Sequence, residues 1–264
     1  MTAPAGSARF SALSRGLAAG VEAHGDLIGL VLLGSASEQA AHRRDEWSDH
    51  DFFALIADGR GAQVRPDLSW LPDQDDLAVT AREGEIGFVA VYDDGHVFEF
   101  ALSEAAELDG AVAGEATVVV DDDRGTTADL VARARATAAA RDRFDPENDA
   151  ALVFVKLLLG TGRARRGEVL NAGQFVRGAA VIHLVRAIRG RFGDRSTTRR
   201  DIIDPLRRFE RDFPEWGARI AEAASAPVED AARGLYVLAR EILEPGWDAF
   251  PARAADAVAR RLGF

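Results

Sequence analysis

The sequence predicts an α+β protein: an N-terminal mixed sheet flanked by helices over residues 1–142, followed by an all-α helical bundle over residues 143–264. Three observations predict it. Apolar runs of strand length, bounded by turn residues, lie before Asp121. An Asp-Gly turn at Asp94-Gly95 joins two of them, which is a strong hairpin signal. From Thr126 onward the text changes to Ala-rich segments of helical period, punctuated by Asp145-Pro146, Asp204-Pro205, Pro214, Pro227, Pro245 and Pro251.

Taken in order, Phe10, Leu13, Leu17 and Val21 form the stripe of an amphipathic first helix. The first twenty-odd residues lack acids and loosely resemble an organelle transit segment, but no apolar secretory core is present and the helix reading is preferred. Leu27 to Leu33 reads as a buried central strand ending in a tight turn at Gly34-Ser35. A short polar helix follows, capped by Ser35 or Ser37. Asp51 to Ala57 is a second apolar strand, and the stretch between is too polar for a core except at Trp47. After a Pro- and Asp-rich segment, Pro66 to Asp76, the hairpin pairs Ile86–Tyr92 with His96–Leu102, and Thr117 to Val120 adds a strand. Helical segments are expected near 127–142, 149–165, 168–190, 201–212, 216–224, 228–243 and 248–262.

Composition narrows the function. The chain of 264 residues can bury a core in one large or two ordinary domains without staples. It has no cysteine, so disulfides, thiol catalysis and Cys-ligated zinc or iron–sulfur sites are excluded. Against 43 acidic residues stand 32 Lys plus Arg, a net charge of −11, and Lys156 is the single lysine. That balance argues against a broad nucleic-acid backbone surface, leaving room for a local arginine patch. No apolar run reaches the length of a membrane-spanning helix. A cytoplasmic location, with neither nucleic acid nor membrane as partner, is the default expectation.

The informative stretch is Gly34-Ser35, thirteen intervening residues, then Asp49-His50-Asp51. On a strand, residues two apart share a face, so Asp49 and Asp51 stand about 6.6 Å apart at the backbone. Two unscreened anions at that spacing repel by about 2–3 kcal/mol at an effective dielectric near 20. A divalent cation offsets this, and Mg²⁺ favours one or two carboxylates plus substrate phosphates. A Gly-Ser turn opening a helix supplies close backbone approach and free N–H groups for those phosphates.

The segment GSASEQAAHRRDEWSDHDFF resembles the signature of the DNA polymerase β-type nucleotidyltransferase superfamily: an apolar strand, Gly-Ser, then Asp-x-Asp. Within it, Asp45-Glu46-Trp47-Ser48-Asp49-His50-Asp51 is similar to the corresponding stretch of aminoglycoside 6-adenylyltransferases. His50 departs from the pattern, since that slot is usually apolar, and the spacing is at its upper limit. The resemblance implies a nucleotidyltransferase-type sheet with a helical second half, and Mg²⁺ held by three carboxylates as metal ligands and catalytic groups. These are Asp49, Asp51 and a third acid from a neighbouring strand. Glu99, an acid interrupting an apolar hairpin strand and costly to bury there, is the first candidate; Asp121, Asp122 and Asp123 compete but look like a solvated strand exit.

Other residues carry two readings each. Gly34 and Ser35 bind nucleotide, or Ser35 is only a helix cap. Lys156, among Phe154, Val155 and Leu157, snorkels from a buried helix or reaches a phosphate. Arg43 and Arg44 read as a solvated loop, with a mobile arginine meeting a triphosphate as the other option. His50 alternates away from the aspartates and reads as structural. Glu168 suits a helix dipole or acts as a general base. Arg177 and His183 match a loose helical-ribonuclease pattern, though their apolar neighbours suggest plain helix packing.

The expected function is Mg²⁺-dependent transfer of a nucleoside monophosphate, AMP from ATP, to a hydroxyl of a small polar acceptor of aminoglycoside type, with the acceptor between the two halves. The partners are then a nucleoside triphosphate and a small molecule, with oligomeric state left open. The other readings are a nucleotide-binding, antitoxin-like regulator without turnover, and transfer of AMP to a protein side chain.

Overall fold

The computed structural model describes residues 5–196, 201 and 203–264. They form an α+β fold whose two compact units divide after Arg141.

The first unit is built on one six-stranded sheet in the order β3-β4-β5-β2-β1-β6. Its strands are β1 (Leu27–Leu33), β2 (His50–Ile56), β3 (Leu77–Glu83), β4 (Gly87–Tyr92), β5 (Val97–Glu104) and β6 (Ala116–Val120). All neighbours are antiparallel except β2 and β5, which run parallel. The apolar runs of β1 and β2 occupy interior positions, where both faces are covered. Helix α1 (Ala5–Ala23) buries Phe10, Leu13, Leu17 and Val21 against one face, together with Phe52, Phe98, Phe100 and Leu102. The short helix α2 (Gly61–Val64) adds Val64 to that core. On the other face, α3 (Thr126–Arg141) packs Leu130, Val131 and Ala134 against Val31, Phe53 and Leu55.

Strand β3 was not expected from the sequence. Six of its seven residues are exposed, so LAVTARE carries no strand-like burial signal, and it lies at the sheet edge with Arg82 and Glu83 near its end. Asp121 and Asp122, at the partly solvated exit of β6, also have a structural role. Asp121 accepts from the backbone N–H groups of Thr127 and Ala128 at 2.8 and 3.1 Å, and Asp122 from that of Thr126 at 2.9 Å, so both cap α3.

The second unit is helical: α4 (Pro146–Arg165), α5 (Val169–Gly173), a π-helical stretch (Gln174–Ala180), α6 (Val181–Arg191), α7 (Phe209–Asp212), α8 (Pro214–Ser225), α9 (Val228–Leu243) and α10 (Ala252–Leu262). Asp145 caps α4 by accepting from Asn148 N–H at 3.0 Å, and Pro146 takes the first helical position. The core, from Val153, Phe154 and Leu157 to Leu235, Ile242 and Leu262, is drawn entirely from this unit. The helix expected over 201–212 is replaced, in its described part, by turns before α7. Pro205 cannot donate to a helical ladder, Arg208 adopts a left-handed backbone (φ 62°), and the buried Arg189 guanidinium takes the carbonyls of Pro205 and Arg207 at 2.8 and 3.2 Å. Residue 202 of that segment lies outside the described residues.

Candidate functional site

Strand pairing brings the candidate residues of the first unit together. Leu33, the last residue of β1, is in register with Asp51 on β2, so the chain leaves β1 beside the start of β2. Gly34 turns there with φ 46°, a conformation glycine adopts without a Cβ penalty. A Cβ on it would lie 3.2 Å from Asp51 Oδ2, so the missing side chain is also what leaves room beside that carboxylate. The chain continues as a 3₁₀ turn over Gly34–Ala36. Ser35 Oγ lies 2.8 Å from the Asp49 carbonyl oxygen and 3.1 Å from Asp49 Oδ1. A hydroxyl has one proton, so it is shared between these acceptors and ties the turn to Asp49. Ser37 Oγ donates to the Gly34 carbonyl at 2.8 Å instead of capping the next turn.

Glu99, the first candidate for a third acid, is adjacent. Because β2 and β5 are parallel neighbours, Asp51 and Glu99 are register partners. Alternation puts both on the face of Phe53 and Ala101, away from the core of Phe52, Phe98 and Phe100. Asp49 and Asp51 are half-buried and Glu99 is exposed, so the expected burial cost of Glu99 does not arise and its position follows from register alone. Among the described residues no group of three or more His, Asp or Glu side chains converges closely enough to hold a metal ion as the side chains stand. The acids share a face and a strand end rather than a preformed cage. Their donors are all oxygen, and the backbone at Gly34 lies close to one of them. That set suits a hard divalent cation that brings phosphates with it.

His50, between the aspartates, faces the opposite way and is fully buried. Its ring stacks on Phe10 with centroids 3.8 Å apart, its Nε2 lies 2.9 Å from Ser14 Oγ and its Nδ1 lies 2.7 Å from His96 Nε2. Ser14 gives its proton to the Phe10 carbonyl at 3.1 Å, so His50 Nε2–H donates to Ser14 and His96 Nε2–H donates to His50 Nδ1. The His50 ring is neutral in that arrangement. Burial, then the neighbouring His96 and Arg44 charges, push the His50 imidazole down to about 3. His50 is part of the core beneath the strand.

The loop between turn and strand is more tightly built than a solvated loop. Arg43 pairs with Glu115, whose carbonyl accepts from Gly34 N–H at 3.0 Å. Arg44 donates from Nε to the Ser35 carbonyl at 2.7 Å, and from Nη2 to those of Ala36 and Ser37 at 2.8 and 2.9 Å. Trp47, expected to be the loop's one core residue, is 86 % exposed. The sequence carried no signal for the role of Arg44, because nothing in the spacing says that three successive carbonyls will face one side chain.

The remaining candidates belong to the second unit and are not among the residues gathered at Gly34. Lys156 lies on α4 with its Nζ 5.7 Å from the centroid of the Phe175 ring, and no carboxylate pairs with it among the described residues. Glu168 is held by Arg166 and Arg163 at 3.0 and 3.2 Å, and these cations keep its carboxyl below the usual range. Arg177 donates to the Ala226 carbonyl at 2.7 Å, whereas His183 Nδ1 lies 2.9 Å from the buried Asp149, so the two do not act as a pair.

No family model and no curated protein matches the chain. Among solved structures it is similar to a nucleotidyltransferase-like protein from Exiguobacterium sibiricum 255-15, at 11 % identity and a TM-score of 0.36, over 95 % of this chain and 79 % of that one. It is also similar to an aminoglycoside 6-adenyltransferase from Bacillus subtilis, at 13 % identity and a TM-score of 0.31, over 95 % of this chain and 90 % of that one.

Proposed function

We propose that this chain is a Mg²⁺-dependent nucleotidyltransferase that moves a nucleoside monophosphate, AMP from ATP, onto a hydroxyl of a small polar acceptor. One observation carries the reading: the left-handed Gly34 brings the backbone so close to Asp51 Oδ2 that a Cβ there would lie 3.2 Å from it, while Asp51 is in register with Glu99 on the same sheet face. Asp49, Asp51 and Glu99 would hold the metal. Bound by such carboxylates, Mg²⁺ neutralises charge on a triphosphate and favours in-line displacement at phosphorus.

The chain's own residues supply the rest of the proposed chemistry. Gly34 lets the phosphates approach the backbone, and Ser35 fixes Asp49 through its shared proton. Glu99, exposed and without a cation partner among the described residues, is placed to take the proton of an acceptor hydroxyl. An acceptor of aminoglycoside type suits this acidic face and a chain of net charge −11, because local acids concentrate cations. Lys156, which sits over the Phe175 ring and pairs with no carboxylate among the described residues, is kept as a proposed phosphate ligand. Among the described residues no helix is long and apolar enough to cross a membrane.

The test is incubation with Mg²⁺, labelled ATP and a panel of aminoglycosides and lincosamides, scored by pyrophosphate release. Asp51→Asn is expected to lower release by roughly a hundredfold or more, the scale on which loss of one preorganised charge-stabilising group acts. Release that survives this substitution overturns the assignment. Binding of Mg·ATP without release on any acceptor favours the regulator reading.

A further inference from the structure

We infer that Arg44 is the positioning residue of the phosphate turn, its single guanidinium holding three successive carbonyls so that Ser35 stays seated on Asp49; this rests on the function proposed above. The three carbonyls belong to Ser35, Ala36 and Ser37, at 2.7, 2.8 and 2.9 Å. They are successive: Ser35 and Ala36 belong to the 3₁₀ stretch Gly34–Ala36, and Ser37 ends it, its carbonyl also accepting from Ala40 N–H at 3.2 Å. A regular helix would satisfy most of its carbonyls from its own next turn; here the extended Ser37 interrupts the ladder before a second 3₁₀ stretch, Glu38–Arg43. The N–H groups of Ser37 and Glu38 are taken by the Gly34 carbonyl and Thr117 Oγ1 at 3.2 and 2.9 Å, so what the fork holds for the site is Ser35, whose hydroxyl ties the turn to Asp49.

The side chain is specialised for this. Among the described residues Arg44 forms no ion pair, whereas its neighbour Arg43 does. Its guanidinium carbon lies 4.6 Å from the centre of the Phe10 ring, and Phe10 in turn stacks on His50, the residue between Asp49 and Asp51. Arg44 therefore joins the phosphate turn to the same packed stack that seats the aspartate strand. A planar fork holds its donors in fixed directions toward the three acceptors, whereas an ammonium carries its three donors on a flexible stem.

The test is calorimetric binding of Mg²⁺ with α,β-methylene-ATP to the full chain, for wild type, Arg44→Ala, Arg44→Lys and Asp51→Asn, with melting temperatures alongside. Arg44→Ala is expected to bind roughly tenfold or more weakly, the scale seen when a residue supporting a ligand shell is removed. Millimolar guanidinium chloride should restore part of that loss and none of the loss in Asp51→Asn, a readout that a merely destabilised fold would not give. If Arg44→Ala does not fold, Arg44→Lys decides: weaker binding at an unchanged melting temperature supports the assignment, and wild-type affinity overturns it. Wild-type affinity in a folded Arg44→Ala, with binding lost in Asp51→Asn, sinks the role of Arg44 alone. Absence of binding in wild type, or unchanged binding in Asp51→Asn, removes the nucleotide site and this inference with it.

Discussion

At the scale of single residues, His50 shows how the strand that carries the acids is held from behind. Its imidazole is neutral at neutral pH, with its folded value near 3 against an ordinary value of 6.5. The unfolded chain therefore takes up the proton first as pH falls. The stability contributed by the neutral ring is complete above about 6.5 and is lost progressively below it, by about 1.4 kcal/mol per pH unit for one such group. Denaturation by urea at pH 7.5 and pH 5.5, a window in which ordinary carboxylates scarcely titrate, should show a lower midpoint at the acid end. In His50→Phe the midpoint should be reduced at both values, because His96 and Ser14 lose a partner, while its pH dependence becomes shallower. An unchanged slope would place the titration elsewhere. The departure from the usual apolar residue at this slot is thus accounted for by a buried hydrogen-bonded pair. That the residue faces away from the acids was legible from alternation alone; that its partner is His96 was not, because it depends on which strands become neighbours.

At the scale of elements, the way α3 lies on β1 depends on Gly29. A Cβ there would fall 2.0 Å from Thr127 Oγ1, inside any allowed contact, and Thr127 is fully buried in the first turn of α3. Gly29→Ala should therefore force the helix start away from the strand, at a cost of about 1–3 kcal/mol, the range for overpacking a core. A urea midpoint equal to that of wild type would show that the helix start yields freely. This contact also marks the limit of reading the chain by pattern. The strands at Leu27–Leu33 and Gly87–Tyr92 and the helix at Val228–Leu243 were legible because their apolar residues keep a strand or helix period. Strand β3 was not, since an edge strand exposed on six of seven residues needs no apolar alternation. Nor was the loss of helix before α7, where a buried arginine collects carbonyls from a segment broken by proline. The site follows the same division. Gly34, Ser35, Asp49 and Asp51 could be read from two strands and a turn, and Glu99 from an acid in an apolar strand. The register that places Glu99 beside Asp51 comes from the parallel pairing of β2 with β5, strands separated in sequence by two others.

At the scale of the whole molecule, each unit is built around side chains of its own. The sheet unit has one core on each face, and every member of either lies at or before Ala134. The core of the helical unit begins at Ala150, and its buried polar pairs, Arg189 with Asp212 and Asp149 with His183, are likewise internal to it. A segment whose apolar burial and buried polar partners are all local has what it needs to fold alone. The fragment 142–264, expressed by itself, should be helical by circular dichroism and unfold in one cooperative transition. Phe154 supplies a sharper measurement. It is fully buried and makes edge contacts with Tyr236 and Phe250 at centroid distances of 5.6 and 5.8 Å, so Phe154→Ala should cost about 3–5 kcal/mol. If the helical core is self-contained, that loss is the same in the fragment and in the helical unit of the full chain, to within about 0.5 kcal/mol, as for independent sites. A markedly smaller loss in the fragment would mean that Phe154 owes part of its burial energy to residues before 142, and the division of the chain into two separately stabilised units would have to be abandoned.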